Sequence, residues 1–180
     1  MRKKLSPALV VAILFSITVA IFCVMFFMQS EMMKRVYGSE LRKDIFFIND
    51  LTEEVLDEFD NGVQDAATIV FAAGELSRCD LGSRIHEGYQ KLCNETSLSL
   101  RTYGEALYAN DLSADALNKL AGDAQALTVR LRGATQFLMQ ELNNTDTDKM
   151  DDAYYDAMDA NAKVYKRLSS YINQNAVLEE

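Results

Sequence analysis

The sequence has no tryptophan, one proline, one histidine and three cysteines in 180 residues. With Pro7 and eight glycines as its only strong breakers, it lacks the punctuation that segments all-β folds, and no sustained period-two stretch marks a strand. A lone His86 and three cysteines leave little for a zinc site or a histidine-based triad. There is no glycine-rich phosphate loop, G-x-S-x-G elbow, H-E-x-x-H or C-x-x-C. Adjacent carboxylates such as Glu53-Glu54 and Asp151-Asp152 point apart on a helix, so they make no acid–base pair. A basic surplus is missing too: 27 acidic residues against 18 basic ones leave −9, which argues against reading nucleic-acid phosphates. These absences point to an all-α protein without enzymatic chemistry, cofactor or metal.

What is present begins with a run of 22 uncharged residues, Pro7 to Met28. As a helix it rises roughly 33 Å, enough for a hydrocarbon core of about 30 Å. A cleaved signal peptide is the rival, but its apolar core is shorter and ends in small residues. This run ends in Met25, Phe26, Phe27 and Met28, which suits an uncleaved anchor. Cys23 follows bulky Phe22, unlike a lipoprotein cleavage site. Arg2, Lys3 and Lys4 before the run place residues 1–6 in the cytoplasm as a basic tail and the remainder outside, periplasmic or extracellular. Lys34, Arg35, Arg42 and Lys43 pull the other way. All 27 acidic residues follow the span, which splits the charge into +3 before it and −12 after it.

Beyond the span, four stretches carry apolar residues three and four apart, the pattern of a helix packing on others. The first passes through Leu41, Ile45, Ile48, Leu51, Val55, Phe59, Val63, Ala66, Val70 and Ala73, continues from the membrane helix, and ends at Asp80-Leu81-Gly82-Ser83. The second uses Ile85, Tyr89, Leu92, Thr96, Leu100, Tyr103 and Leu107 and stops at Asn110-Asp111. The third starts behind Ser113 as N-cap, with Asp115 in its first turn, and uses Leu117, Leu120, Ala124, Leu127, Leu131, Ala134 and Leu138. The fourth follows an Asn/Asp/Thr-rich loop and uses Met150, Tyr154, Ala157, Asn161, Val164, Leu168 and Tyr171. The mean step near 3.5 is the coiled-coil period. The simplest assembly is an antiparallel up-down-up-down four-helix bundle over residues 45–180, joined to the membrane helix (7–28) by a helical stalk over 29–44.

Several side chains invite a chemical reading. Cys79 and Cys93, 14 positions apart, pair into a disulfide only if the first helix ends early or the second starts late; otherwise they are two small buried thiols. Arg101, Arg130 and Arg132 stand beside core positions and either line a shared cleft for a carboxylate ligand or pair with the abundant acids. Asn144 to Lys149 opens like a calcium loop, but Lys149 and Tyr155 occupy the places that need glycine and glutamate, so the match fails. Asn161 either fixes register on the core face or lies at its edge beside Ala160. Tyr89, Tyr103, Tyr154 and Tyr171 are expected to fill the core, and His86 to lie on the surface.

A short basic N-terminus, one span and about 150 residues of helices together resemble the N-terminal half of bacterial chemoreceptors and sensor kinases. The resemblance is architectural and brings no family motif. It implies an extracytoplasmic four-helix bundle that binds a small ligand or a binding protein. In those receptors the fourth helix continues into a second span, whereas this sequence stops at Ala176-Val-Leu-Glu-Glu180. The sequence is therefore expected to be either a fragment of such a receptor or an anchored module that binds an envelope or membrane protein, or itself.

Overall fold

The computed structural model describes residues 7–61, 65–79, 86–143, 149–157 and 159–176, with side chains from 11 to 174. The basic residues Arg2, Lys3 and Lys4, the cluster at 80–83 and the acidic segment 144–148 lie outside the described residues. The described chain is all-α, with six helices: α1 (Pro7–Asn61), α2 (Ala66–Arg78), α3 (Glu87–Ala109), α4 (Ala114–Leu142), α5 (Met150–Asp156) and α6 (Lys163–Ala176).

α1 is one unbroken helix of 55 residues, about 80 Å long. Its first part is apolar around the whole circumference, and it is the one described helix long and apolar enough to cross a membrane. The polar side chains there are satisfied locally. The Ser16 hydroxyl donates to the Ala12 carbonyl at 2.9 Å and the Thr18 hydroxyl to the Leu14 carbonyl at 3.0 Å. Further along, the apolar residues narrow to a stripe, and Leu41, Ile45, Ile48, Leu51, Val55 and Phe59 enter the core.

That core begins closer to the span than the stalk at 29–44 allowed. Gly38 is buried beneath α5, where an added Cβ would lie 1.8 Å from the Asp151 carbonyl oxygen. Arg42 pairs with Asp151 at 3.2 Å. The stretch between the apolar run and the packed domain is therefore 29–37, and glycine at 38 is what lets the α5 backbone approach so closely.

Two of the four expected helices are divided. The first ends at Asn61, and α2 starts behind Asp65, whose carboxylate accepts from the Ala67 N–H at 3.1 Å and the Thr68 hydroxyl at 3.0 Å. The Asp65 N–H is in turn taken by Glu58 Oε2 at 3.0 Å. An N-cap of this kind satisfies donors that a new helix leaves open and so stabilises the break. The fourth stretch divides at Asp159, whose carboxylate accepts from the Asn161 N–H (2.8 Å) and side-chain amide (3.1 Å). Asn161 is thus exposed in a turn and has no core register to fix. Ser113 and Asn110 act as expected: the Ser113 hydroxyl accepts from the Ala116 N–H at 3.3 Å, and Asn110 closes α3 in the left-handed conformation, φ 51°.

The packing pairs run in opposite senses along neighbouring helices. Ile69 and Val70 of α2 lie against Gly104 of α3, and the Ser97 hydroxyl donates to the Ala73 carbonyl at 2.7 Å. Between α3 and α4, Tyr89 meets Thr135 at 2.7 Å, and the Thr96 hydroxyl reaches the Leu127 carbonyl at 3.3 Å. Each buried threonine hydroxyl on α3 and α4 (Thr96, Thr128 and Thr135) donates to the carbonyl four residues back, which leaves Tyr89 as the donor to Thr135. Tyr89, Tyr103 and Tyr154 are almost wholly buried, and Tyr171 stacks on Phe137 with centroids 5.0 Å apart.

Candidate functional site

The three arginines do not assemble a cleft. Arg130 and Arg132 are two residues apart on α4 and therefore point about 200° apart around it. Arg132 turns toward α1 and pairs with Glu53 at 3.0 Å, Arg130 is half-buried on the other side, and Arg101 is exposed on α3. The residue spacing alone carried this information, because i and i+2 never share a helix face.

Below the Arg132–Glu53 pair, α1 and α4 leave an open groove of about 640 Å³ lined by Asn49, Gln136, Met139, Gln140 and Asn143. Four of these five residues carry carboxamides, which both donate and accept. Two buried side-chain atoms at this interface have no partner among the described residues, Asn49 Oδ1 and Arg132 Nε. Asn49 stands one turn before Glu53, so the unmet acceptor and donor flank the same stretch of α1. At the lower end Asn143 accepts from the Tyr154 hydroxyl at 3.3 Å, so α5 closes that side. This groove was not legible in the sequence, because amide side chains on helices read as ordinary solvent faces.

His86 is half-buried and holds two elements together. Its Nδ1 accepts from the Gly88 and Tyr89 N–H groups at 3.0 and 3.3 Å, capping α3. An accepting Nδ1 puts the ring proton on Nε2, which donates to the Ser169 hydroxyl of α6. Tyr165 packs on the ring at 4.3 Å. Burial holds the imidazole below its ordinary pKa, opposed by the His86 backbone and by Glu87. The sequence placed His86 on the surface because Ser169 and Tyr165, which cover its ring, lie far along the chain.

Cys79 and Cys93 are both free thiols, half-buried and buried respectively. Burial, then Asp44 and Glu75, push the Cys79 thiol up to about 11. Burial and then Cys79 raise Cys93. Tyr89 is raised by its own burial and feels Cys93, Cys79 and Tyr154 in turn, so these groups form one neighbourhood at the end of α3 nearer the apolar run.

The far end of the domain differs in chemistry. The last turns of α1 carry Asp50, Glu53, Glu54, Asp57, Glu58 and Asp60, the first turn of α4 adds Asp115, and the α3–α4 turn adds Asp111. Beside that turn Tyr108 is 86% exposed and Leu112 45% exposed. Among the described residues no group of histidine, cysteine, aspartate and glutamate side chains is arranged to hold a metal ion. No protein-family model matches the chain, and neither a curated protein nor a solved structure does.

Proposed function

We propose that the chain is a membrane-anchored helical module of the cell envelope that tethers or scaffolds another envelope or membrane protein, or a second copy of itself. The observation that supports this most is α1, which carries the apolar run and the first core helix on one rod. A rod of that kind holds the domain at a set height and orientation above a bilayer. In this reading the three basic residues before the span stay in the cytoplasm and the acidic domain lies outside it. The antiparallel up-down-up-down bundle of this reading is made of α1 to α4, not of the four stretches expected from the sequence, of which the first is α1 and α2 together and the fourth α5 and α6. The opposed pairings of α2 with α3 and of α3 with α4 support it. The protein works by contact, with no catalytic step, cofactor or nucleic acid. The membrane-distal turn with Tyr108 and Leu112 is the contact point, an exposed aromatic and a leucine in an acidic surround.

A photo-crosslinking residue in place of Tyr108 tests this in intact cells, with the same residue in place of exposed Phe71 as the control. Specific adducts at 108 and none at 71 are expected; no adduct at either position contradicts a contact role for the tip.

The groove between α1 and α4 favours a second reading, a ligand-sensing ectodomain of the chemoreceptor or sensor-kinase type. A ligand there would touch the helix that continues into the span, so its binding would bear on α1 directly. Thermal melting against amino acids and organic acids separates the two, since a ligand that binds the folded state raises the midpoint, with the logarithm of its concentration once that exceeds Kd. A shift abolished by Asn49→Ala or Gln140→Ala favours sensing; no shift with any compound counts against it.

A further inference from the structure

The requirement for pairing Cys79 with Cys93 was that one helix end early or the next begin late, and both hold. α2 ends at Arg78 and α3 begins at Glu87, so Cys93 stands six residues into its helix and Cys79 is the C-cap of the other. The register then places them. Ile69 and Val70 lie against Gly104 and Ala73 against Ser97, so one more turn brings Leu76 opposite Cys93. Cys79, three residues past Leu76 on the same face, falls between Cys93 and Tyr89. The influence of Cys79 on Cys93, and of both thiols on Tyr89, agrees with that position. Cys79 has also left helical geometry (φ −65°, ψ 66°) and is held by its N–H to the Glu75 carbonyl at 3.1 Å. A helix-end residue can adjust toward a partner where a mid-helix one cannot.

We propose that Cys79 and Cys93 are a redox pair that closes into an intrachain disulfide and staples the end of α2 to α3. The oxidant is a low-molecular-weight disulfide. The Cys79 thiolate attacks one of its sulfurs, forming a mixed disulfide and releasing one thiol. The Cys93 thiolate then attacks the Cys79 sulfur, forming the Cys79–Cys93 bond and releasing the second thiol. Two protein thiols are oxidised and one external disulfide is reduced to two thiols. Cys79 reacts first because it is half-buried, whereas Cys93 is 0% exposed. Burial and the carboxylates of Asp44 and Glu75 keep its thiolate scarce at neutral pH, so closure is slow there and accelerates as pH rises toward 11. Persistence of the bond in a cell rests on the outside placement proposed above; its formation in the purified protein does not.

The test uses the full chain in lipid nanodiscs, treated with oxidised glutathione, then denatured and alkylated with N-ethylmaleimide. The expected product is monomeric on a non-reducing gel, carries one maleimide adduct (on Cys23) against three for the reduced protein, and melts roughly 5–10 °C higher. Cys79→Ser should leave two adducts and erase the shift, while Asp44→Asn should speed closure severalfold at pH 7. Three adducts, a glutathione adduct on Cys79 that never resolves, or a cross-linked dimer would each overturn the proposal. Alkylation in intact cells is the second arm. A pair that closes in nanodiscs but stays reduced in cells sinks the outside placement and leaves the redox pair standing.

Discussion

The two parts of α1 are the same secondary structure built for different surroundings. Between Val11 and Met28 large apolar side chains point in every direction and all are exposed, Phe22 at 72% and Phe26 at 76%. Between Leu41 and Phe59 the buried apolar residues line one face, with Ile45 and Ile48 fully buried, while Phe46 and Phe47 between them are exposed. A helix that is apolar all round has no polar face to give to water, and needs either a large protein core or a membrane around it. No described element covers the first part, whereas α4 and α5 cover the second. The difference teaches that the hydrophobic pattern, not helicity, marks where the medium changes along one continuous rod.

The comparison breaks most sharply with a charge placed in each part. Ile48→Asp buries an unpaired carboxylate and should cost more than about 4 kcal/mol, enough to abolish the cooperative melt of a domain with marginal stability. Ile17→Asp, at the middle of the apolar run, should leave the domain's melt in place. Its cost is about 2.5–3.5 kcal/mol of membrane insertion, read as loss from the membrane fraction. If Ile17→Asp unfolds the domain instead, the two parts are not independent.

A second pair of substitutions sharpens where the covered part begins. Gly38→Ala sets a methyl against the Asp151 carbonyl and should destabilise by about 1–3 kcal/mol while loosening α5 from α1. Gly122→Ala on α4 meets nothing within 4 Å and should stabilise by about 0.5–1 kcal/mol. A tolerated Gly38→Ala would return residues 38–44 to the exposed stalk.

Smaller effects belong to the domain alone. His86 sits below its ordinary pKa when folded, so the unfolded chain takes up the proton first as pH falls. The cap's contribution is therefore present above about pH 6.5 and lost as pH falls through the folded value. Melting between pH 7.5 and 5 should show that decline, and His86→Asn, which keeps a capping oxygen without titrating, should remove that part of it. Smallest of all, Glu53→Gln breaks the part-exposed pair with Arg132 and should cost less than about 1 kcal/mol.

Much of this was legible before any coordinates. The apolar run, the Ser113 cap, the stop at Asn110 and the buried tyrosines all follow from local chemistry read along the chain. The division of α1 from α2 was readable too: Asn61-Gly62 is a turn dipeptide and Asp65 a capping residue. An uninterrupted three-four apolar pattern through Ala66 and Val70 outweighed those signals, but as a separate helix α2 turns a different face inward: Ile69, Ala72, Ala73 and Leu76 are buried and Val70 is exposed. The α5–α6 break hid in the same way behind Leu168 and Tyr171. The α1–α4 groove, the His86–Ser169 contact and the close approach at Gly38 depend on which helices become neighbours, and no local rule states that.

The central claim is that α1 runs unbroken from the apolar run into the core. A nitroxide scan along positions 20–50 of the chain in nanodiscs tests it most directly, with collision rates measured for oxygen and for a water-soluble nickel chelate. A continuous α1 gives oxygen access on all sides up to about Met28, then falling access with a helical period that keeps its phase through Gly38 into Ile48. Loss of that periodicity anywhere over 29–40, or nickel access within 20–28, would contradict it.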